Sequence, residues 1–327
     1  LGWAAAAQAE QAVTLRIVGG LEGVSQYTRH ELPFWRDRLP ILTQGAFKAE
    51  IVPFDRAGLR AQEMTRLLRL GVVPFGHVLA GTASADEPLL GAFDIPLDNP
   101  SIEALRVNLA ARRPFIEADL RERLGIELLA VFTYPAQVIF CREPISGLGD
   151  LAGRRVRASG VAQTELMMAL KAQPAIIPFA DMRAALRNGR VDCAITGTLS
   201  GYEVGLAGAA TQVLVEPVTW GVSFFAANRR AWMAIAEGHR AAIRQGLAEL
   251  EAEIWRAAAA DTALGIACLG RGPCPHGEPG GIRIVMPPSE DALRREGLLR
   301  DVVLPQWVSR CGASCAELLQ RTPHASR

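Results

Sequence analysis

The chain has 327 residues, half of them apolar, which is enough for two domains with sizeable cores. Lys and Arg total 35 against 34 Asp and Glu, a net charge of +1, so the clustered basic excess of a nucleic-acid-binding protein is missing. No apolar run reaches the ~18–20 residues that a membrane helix needs, and His30, His77, His239, His276 and His324 fall in no metal-binding spacing.

In chain order, Leu-Gly-Trp-Ala-Ala-Ala-Ala-Gln-Ala reads as the tail of a secretory signal. Ala7-Gln8-Ala9 supplies the small-x-small cleavage pattern and Glu10 the mature start; an alanine-rich frayed helix fits the same residues. Thr14–Val18 reads as the first strand, closed by Gly19-Gly20, and a helix is expected from Ser25 to about Arg38. Phe47–Val52 is the next strand. Ala61–Leu70 carries Met64, Leu67 and Leu68 at helical spacing and stops at Gly71. Val73–Leu79 is the third strand and opens into Ala80-Gly81-Thr82; His77 within it reads as a structural histidine. Leu90–Pro96 is a loop placed to line a cleft, and a long helix covers about Ile102–Leu124.

Leu128–Phe132 and Gln137–Cys141 are strand-rich and carry the chain into a second domain. There a basic strand ends at Arg157 and a helix follows. A second strand is expected at about Ala175–Pro178, a second helix ends at Asn188-Gly189, and a third strand spans Val191–Ile195. This βαβαβ order makes a parallel sheet, with ligands at the carboxyl ends of its strands. Val218–Ala227 reads as a strand that returns to the first domain. One helix from about Arg230 to Leu264 is long enough to run across both. The tail is helical from about Glu290.

The predicted fold is α/β: two Rossmann-like lobes with a hinged cleft between them and a long helix spanning both. Residues 10–137 with 223–258 are assigned to lobe I, and 138–222 with 259–321 to lobe II.

Four of the six cysteines form two close pairs, Cys268 with Cys274 and Cys311 with Cys315, in loop-like composition. Local disulfides suit that spacing and an oxidising compartment. A structural zinc site is the competing reading, weakened by the five-residue spacer and the lack of a Cys-x-x-Cys spacing. Cys141 and Cys193 lie in apolar strands and are expected to be buried thiols rather than a bridge.

Arg157 stands out among the polar residues. Side chains of a strand alternate, so Arg155 and Arg157 share a face, and only Arg157 is at the ligand end. A guanidinium fork there matches a carboxylate with two parallel hydrogen bonds. Thr196 ends the third strand on the same side and offers one hydroxyl. Trp220, Phe224 and Phe225 lie on the returning strand; Trp220 is the candidate to stack on a ligand, and the two phenylalanines read as core. Leu21, Gly81 and Phe93 are first-lobe positions expected to face the cleft.

The stretches Leu151-Ala-Gly-Arg-Arg-Val-Arg157 and Ala185-Leu-Arg-Asn-Gly-Arg-Val-Asp192 resemble a motif pair of the periplasmic substrate-binding proteins of tripartite (TRAP-type) organic-acid transporters. The similarity extends from the first strand to Pro305-Gln-Trp. It implies that Arg157 holds a ligand carboxylate. Thr196 departs from the asparagine that many members carry. Gln137 stands near the place where sialic-acid binders have a second arginine, which argues against dicarboxylates and for a monocarboxylate. The resemblance further implies a periplasmic receptor that delivers its ligand to TRAP membrane subunits, with no covalent chemistry, cofactor, nucleic acid or membrane insertion. A secreted α/β enzyme acting on a small acid in the same cleft, or a ligand-sensing module, would fit the same elements.

Overall fold

A computed structural model describes residues 12–322 of the chain. The signal-like residues 1–9 lie outside the described residues. Among the described residues no helix is long and apolar enough to cross a membrane.

Two sheets divide the structure. The first has the order β2-β1-β3-β10-β4. It contains β1 (Val13–Gly19), β2 (Phe47–Pro53), β3 (Phe75–Leu79), β4 (Ile126–Phe132) and β10 (Ser223–Asn228). β1 runs parallel to β2 and β3, and β10 runs antiparallel to β3 and β4. The second sheet has the order β11-β9-β5-β8-β6-β7. Its strands are β5 (Gln137–Cys141), β6 (Arg155–Ala158), β7 (Gln173–Ile176), β8 (Cys193–Gly197), β9 (Gln212–Thr219) and β11 (Arg283–Val285). β6 is parallel to both β7 and β8, so the βαβαβ unit is present. β5 enters antiparallel beside β8.

The chain passes between the sheets at 133–136 and at 220–222. The expected single strand Val218–Ala227 is therefore two strands in two sheets. Gly221 makes the break; its φ of +61° is left-handed and suits glycine. The expected long helix is also divided. Arg229–Met233 is a short helix capped by the Asn228 side chain, which accepts from the backbone N–H groups of Arg230 and Ala231. A new helix, Glu237–Leu269, starts after the extended Ala236.

The expected 25–38 helix runs on to 42 and contains π-turns at Gln26–Glu31 and Phe34–Arg38. Pro33 and Pro40 lie within this run and have no backbone N–H, so the regular i→i−4 ladder fails there.

Lobe I is packed on one face by this helix and the Glu237–Leu269 helix. Phe34, Trp35 and Leu39 join Ile243, Leu247, Leu250 and Ile254 against Phe132 and Phe225. Trp35 lies 4.8 Å, centroid to centroid, from Phe225. Further along, the same long helix reaches the second lobe. A Cβ on Gly265 would stand 2.2 Å from the Leu199 backbone nitrogen, so glycine permits that contact. Thr262 Oγ1 accepts from the Ala136 N–H at 3.1 Å, which attaches the helix to the first crossing as well.

All six cysteines are paired. Cys268–Cys274 and Cys311–Cys315 are disulfides, as expected. Cys141–Cys193 is a third disulfide, which corrects the expectation of two buried thiols. The physical reason is register. β5 and β8 run antiparallel, and Cys141 lies directly opposite Cys193. That long-range pairing is not written in local composition.

The denatured, unreduced protein should titrate no free thiol, and six after reduction. The 52-residue separation of Cys141 and Cys193 gives a chain-entropy stabilisation of about 4 kcal/mol, against about 2 kcal/mol for the six-residue Cys268–Cys274 loop. Urea unfolding of Cys141→Ala/Cys193→Ala should therefore show a larger loss than Cys268→Ala/Cys274→Ala. Equal losses would overturn that ranking.

Candidate ligand-binding site

A cavity lies between the two sheets at the carboxyl end of β6 and β8. β6 places Arg157 on its wall. The side chain is buried, with 4 % of its surface exposed. Its Nε donates to the Ile177 carbonyl at 2.9 Å and its Nη1 to the Ile195 carbonyl at 2.6 Å. Burial lowers its pKa to about 10, so it remains charged at neutral pH. No ion pair involving Arg157 occurs among the described residues. Other arginines behave differently. Arg155, two residues earlier, is exposed and pairs with Asp192, and the buried Arg295 pairs with Glu216.

Thr196 and Gln137 line the same wall. They sit one residue apart in the β5–β8 ladder, where Gln137 faces Gly197. Gln163, in the first turn of the Val161–Ala169 helix, is fixed on both sides. Its Oε1 accepts from the Ser159 N–H at 2.9 Å and its Nε2 donates to Thr219 Oγ1 at 2.9 Å.

Lobe I contributes Leu21, Leu79, Gly81 and Thr82. The two lobes touch at this rim. Thr82 Oγ1 donates to the Ser159 carbonyl at 3.2 Å. A Cβ on Gly160 would stand only 2.3 Å from the Gly81 carbonyl oxygen. Farther from the cavity, the Ser25 N–H donates to Glu203 at 3.2 Å and Arg29 lies 2.8 Å from His276 Nδ1.

Two of the sequence-derived candidates do not line the cavity. Phe93 is fully buried and stacks on Phe224 at 5.4 Å, so it belongs to the lobe core. Trp220 sits at the second crossing, but its indole donates to the Asn99 carbonyl at 2.9 Å and is committed to the interior. Leu21, Gly81, Gln137, Arg157 and Thr196 all lie on the cavity wall.

Tyr134 and Gly160 also line the cavity and were missed by the sequence reading, as was the role of Asp94 within the Leu90–Pro96 loop expected at the cleft. Asp94 neighbours Phe93 and is a lone acid between apolar residues, which was the available signal. Its carboxylate accepts from the backbone N–H groups of Trp220 at 2.9 Å and Val222 at 3.1 Å, and so fixes the second crossing. Burial raises its pKa from 3.8 to about 6, although those N–H groups oppose the shift.

The sequence profile of bacterial extracellular solute-binding protein family 7 (DctP) matches residues 24–265. The chain belongs to this family. Its members are periplasmic, extracytoplasmic solute receptors of TRAP-type transporters, and the two-lobed fold agrees with solved relatives. The chain is 22 % identical to DctP7 of Bordetella pertussis, an extracytoplasmic solute receptor binding pyroglutamic acid. The TM-score is 0.84, with 95 % of this chain and 99 % of that one covered. A marine metagenome TRAP protein specific for pyroglutamate aligns at 16 % identity and TM-score 0.84, covering 96 % and 99 %. A TRAP protein of Rhodoferax ferrireducens with bound malonate aligns at 17 % and 0.82, covering 94 % and 96 %. No curated protein sequence matches the chain.

A carboxyl whose folded pKa is raised favours the folded state most below its unfolded pKa, and that advantage is lost as pH rises through the folded pKa. Relative to Asp94→Asn, the parent protein should lose stability between about pH 4 and pH 6 and change little above it. Urea unfolding across that range checks this; a pH-independent difference would show that Asp94 does not titrate there.

Proposed function

We propose that this chain captures a small monocarboxylate between its lobes, with Arg157 holding the carboxylate, and delivers it to TRAP membrane subunits. The observation that carries this reading is a buried guanidinium on a cavity wall whose only described hydrogen bonds go to two neutral carbonyls. Taking such a charge out of water costs several kcal/mol. An anion in the cavity would offset that cost with charge-assisted, paired hydrogen bonds.

Charge count supports a single carboxylate. Arg157 is the one cationic side chain on the described cavity wall, and Asp94 is an acid on the same wall. A second ligand carboxylate would gain no partner and would meet Asp94. Gln137 and Thr196 are proposed to donate to the bound acid. Leu21, Leu79 and Phe179 supply apolar surface for its body. Gly81 is proposed to act through closure, because its backbone meets Gly160 across the rim.

A ligand that touches both lobes favours the closed arrangement and shifts the population towards it. Native mass spectrometry of the purified receptor identifies the co-purified acid, and calorimetry then tests the residues. Arg157→Ala should weaken binding by about 30-fold or more, from the ~2–5 kcal/mol typical of leaving a buried charge without its partner. Arg157→Lys should also weaken it, since the planar fork is lost. Parental affinity in Arg157→Ala would overturn the carboxylate assignment.

The rim yields a separate expectation. Gly160 has an extended backbone, φ −166°, which any residue can adopt. Gly160→Ala should therefore fold normally but hold the lobes apart through the clash with the Gly81 carbonyl. Affinity should fall by about 10-fold or more, with little change in thermal unfolding. Full affinity in that variant would show that this contact is not part of closure.

A further inference from the structure

The end of lobe I farthest from the cavity carries a second feature. β4 starts there at Ile126 and β10 finishes there at Asn228, paired in register, while their other ends, Phe132 and Ser223, adjoin the crossings. The helix Met64–Leu70 stops at the same pole at Gly71, and the helix Ile102–Leu124 at Gly125. Both glycines have left-handed backbones, with φ of +74° and +64°. Among these termini runs an open groove, whose lining includes Arg69, Leu70, Arg123, Arg229, Arg230 and Met233.

Four arginines line the groove, and no acid is among its described lining residues. They come from three distant segments, so local composition hides the cluster. In a chain whose net charge is only +1 it is a marked local excess. All four side chains are exposed. Arg123 is held by Glu87 at 2.6 Å and by Asp119 at 2.9 Å, and Arg229 lies 3.4 Å from Glu127, whereas Arg69 and Arg230 make no ion pair among the described residues. Asp86 and Glu87 line the neighbouring depression and bound the cationic surface on that side.

Helix electrostatics account for half of the cluster. Arg69 and Arg123 stand in the last turns of their helices, where a cation complements the helix dipole. Arg229 and Arg230 open the Arg229–Met233 helix, the end at which a cation is disfavoured. Folding gains little from their charges, because Arg230 has no ion-pair partner and the Arg229–Glu127 pair is open to solvent on the arginine side. The apolar side chains here are also left in water: Leu70 is 62 % exposed, Val72 66 % and Met233 54 %. Guanidinium groups around exposed apolar side chains match the headgroup region of an anionic bilayer. The cations pair with lipid phosphates, and the apolar side chains reach the acyl boundary. A free phosphate would use two of the arginines and none of the apolar surface.

We infer that this pole of lobe I is a peripheral docking surface that holds the receptor reversibly on anionic phospholipid headgroups. The cavity lies at the other end of the lobe I sheet, so a docked receptor keeps its cleft free. Receptors of this family serve transporters that sit in a membrane, and a surface-bound receptor searches for its transporter in two dimensions rather than three. The inference does not depend on which solute the cavity takes.

Co-sedimentation of the full chain with vesicles tests it. The parent should bind vesicles of phosphatidylcholine and phosphatidylglycerol in equal parts about 50-fold more tightly than vesicles of phosphatidylcholine alone, and about 1 M salt should abolish the difference. Arg69→Ala/Arg230→Ala should weaken binding to the anionic vesicles about 20-fold, roughly five-fold per arginine. Arg187→Ala/Arg300→Ala removes the same charge from exposed positions outside the groove and should cost less than about two-fold. Leu70→Ser/Met233→Ser should weaken binding about five-fold and leave its salt dependence unchanged. All these side chains are exposed, so the variants should unfold with the parent; the salt response of the parent decides if one of them does not fold. Equal binding to both kinds of vesicle, equal losses from the two arginine pairs, or a parent that stays in the supernatant would overturn the inference. A parent that ignores vesicles but binds a polyglutamate peptide through Arg69 and Arg230 would overturn it too, and would assign the groove to an acidic protein segment.

Discussion

The guanidinium of Arg157 is the constraint around which the second lobe is arranged. Two main-chain carbonyls hold it, one from the residue after β7 and one from β8. Both strands flank β6 in a parallel sheet, so their carboxyl ends converge where the side chain emerges. Hydrogen bonds to neutral oxygens fix the orientation of the fork without neutralising it. The fold thereby maintains a directed, uncompensated charge at the cavity wall, which is a form of preorganisation. The other buried arginines are held by carboxylates and serve the architecture. Arg112 with Asp98 and Arg295 with Glu216 are of this kind.

At the lobe junction, directed hydrogen bonds fix the two crossings beside an apolar cluster that runs through both lobes. Asp94 collects the N–H groups of the second crossing, Thr133 and Tyr134 bind that crossing through the Trp220 carbonyl, and Thr262 attaches the first crossing to the long helix. Each connection involves few residues and specific directions. Together these bonds set the direction in which each crossing leaves its sheet.

Much of the fold was legible because its signals are local. Ser101 caps and Gly125 stops the Ile102–Leu124 helix, and the sequence period reproduces those bounds. The parallel unit around β6 was legible from strand–helix alternation. The departures have long-range or backbone causes. Gly221 splits one apolar run between two sheets, and Pro33 and Pro40 impose π-turns on an amphipathic segment. Cys141 meets Cys193 only because β5 enters antiparallel. At the cavity, the position of Arg157 followed from strand direction alone. The roles of Asp94 and Tyr134 did not, because both lie outside regular strands: Asp94 ends the Pro88–Phe93 turn and Tyr134 lies in the first crossing. Phe93 and Trp220 were chosen for apolar character, which serves a core equally well.

The cross-strand disulfide has a consequence for the order of events. Cys141 and Cys193 lie at the opposite end of the β5–β8 ladder from Gln137 and Gly197. The covalent bridge keeps that ladder in register whatever the first lobe does. Arg157, its two carbonyls and Thr196 are therefore held as one piece within the second sheet. If the lobes close on a solute as proposed, encounter would depend on diffusion to a finished half-site, and escape on how often the rim at Gly81 and Gly160 parts. Residence time, and not capture, would then be the quantity that rim sequence tunes.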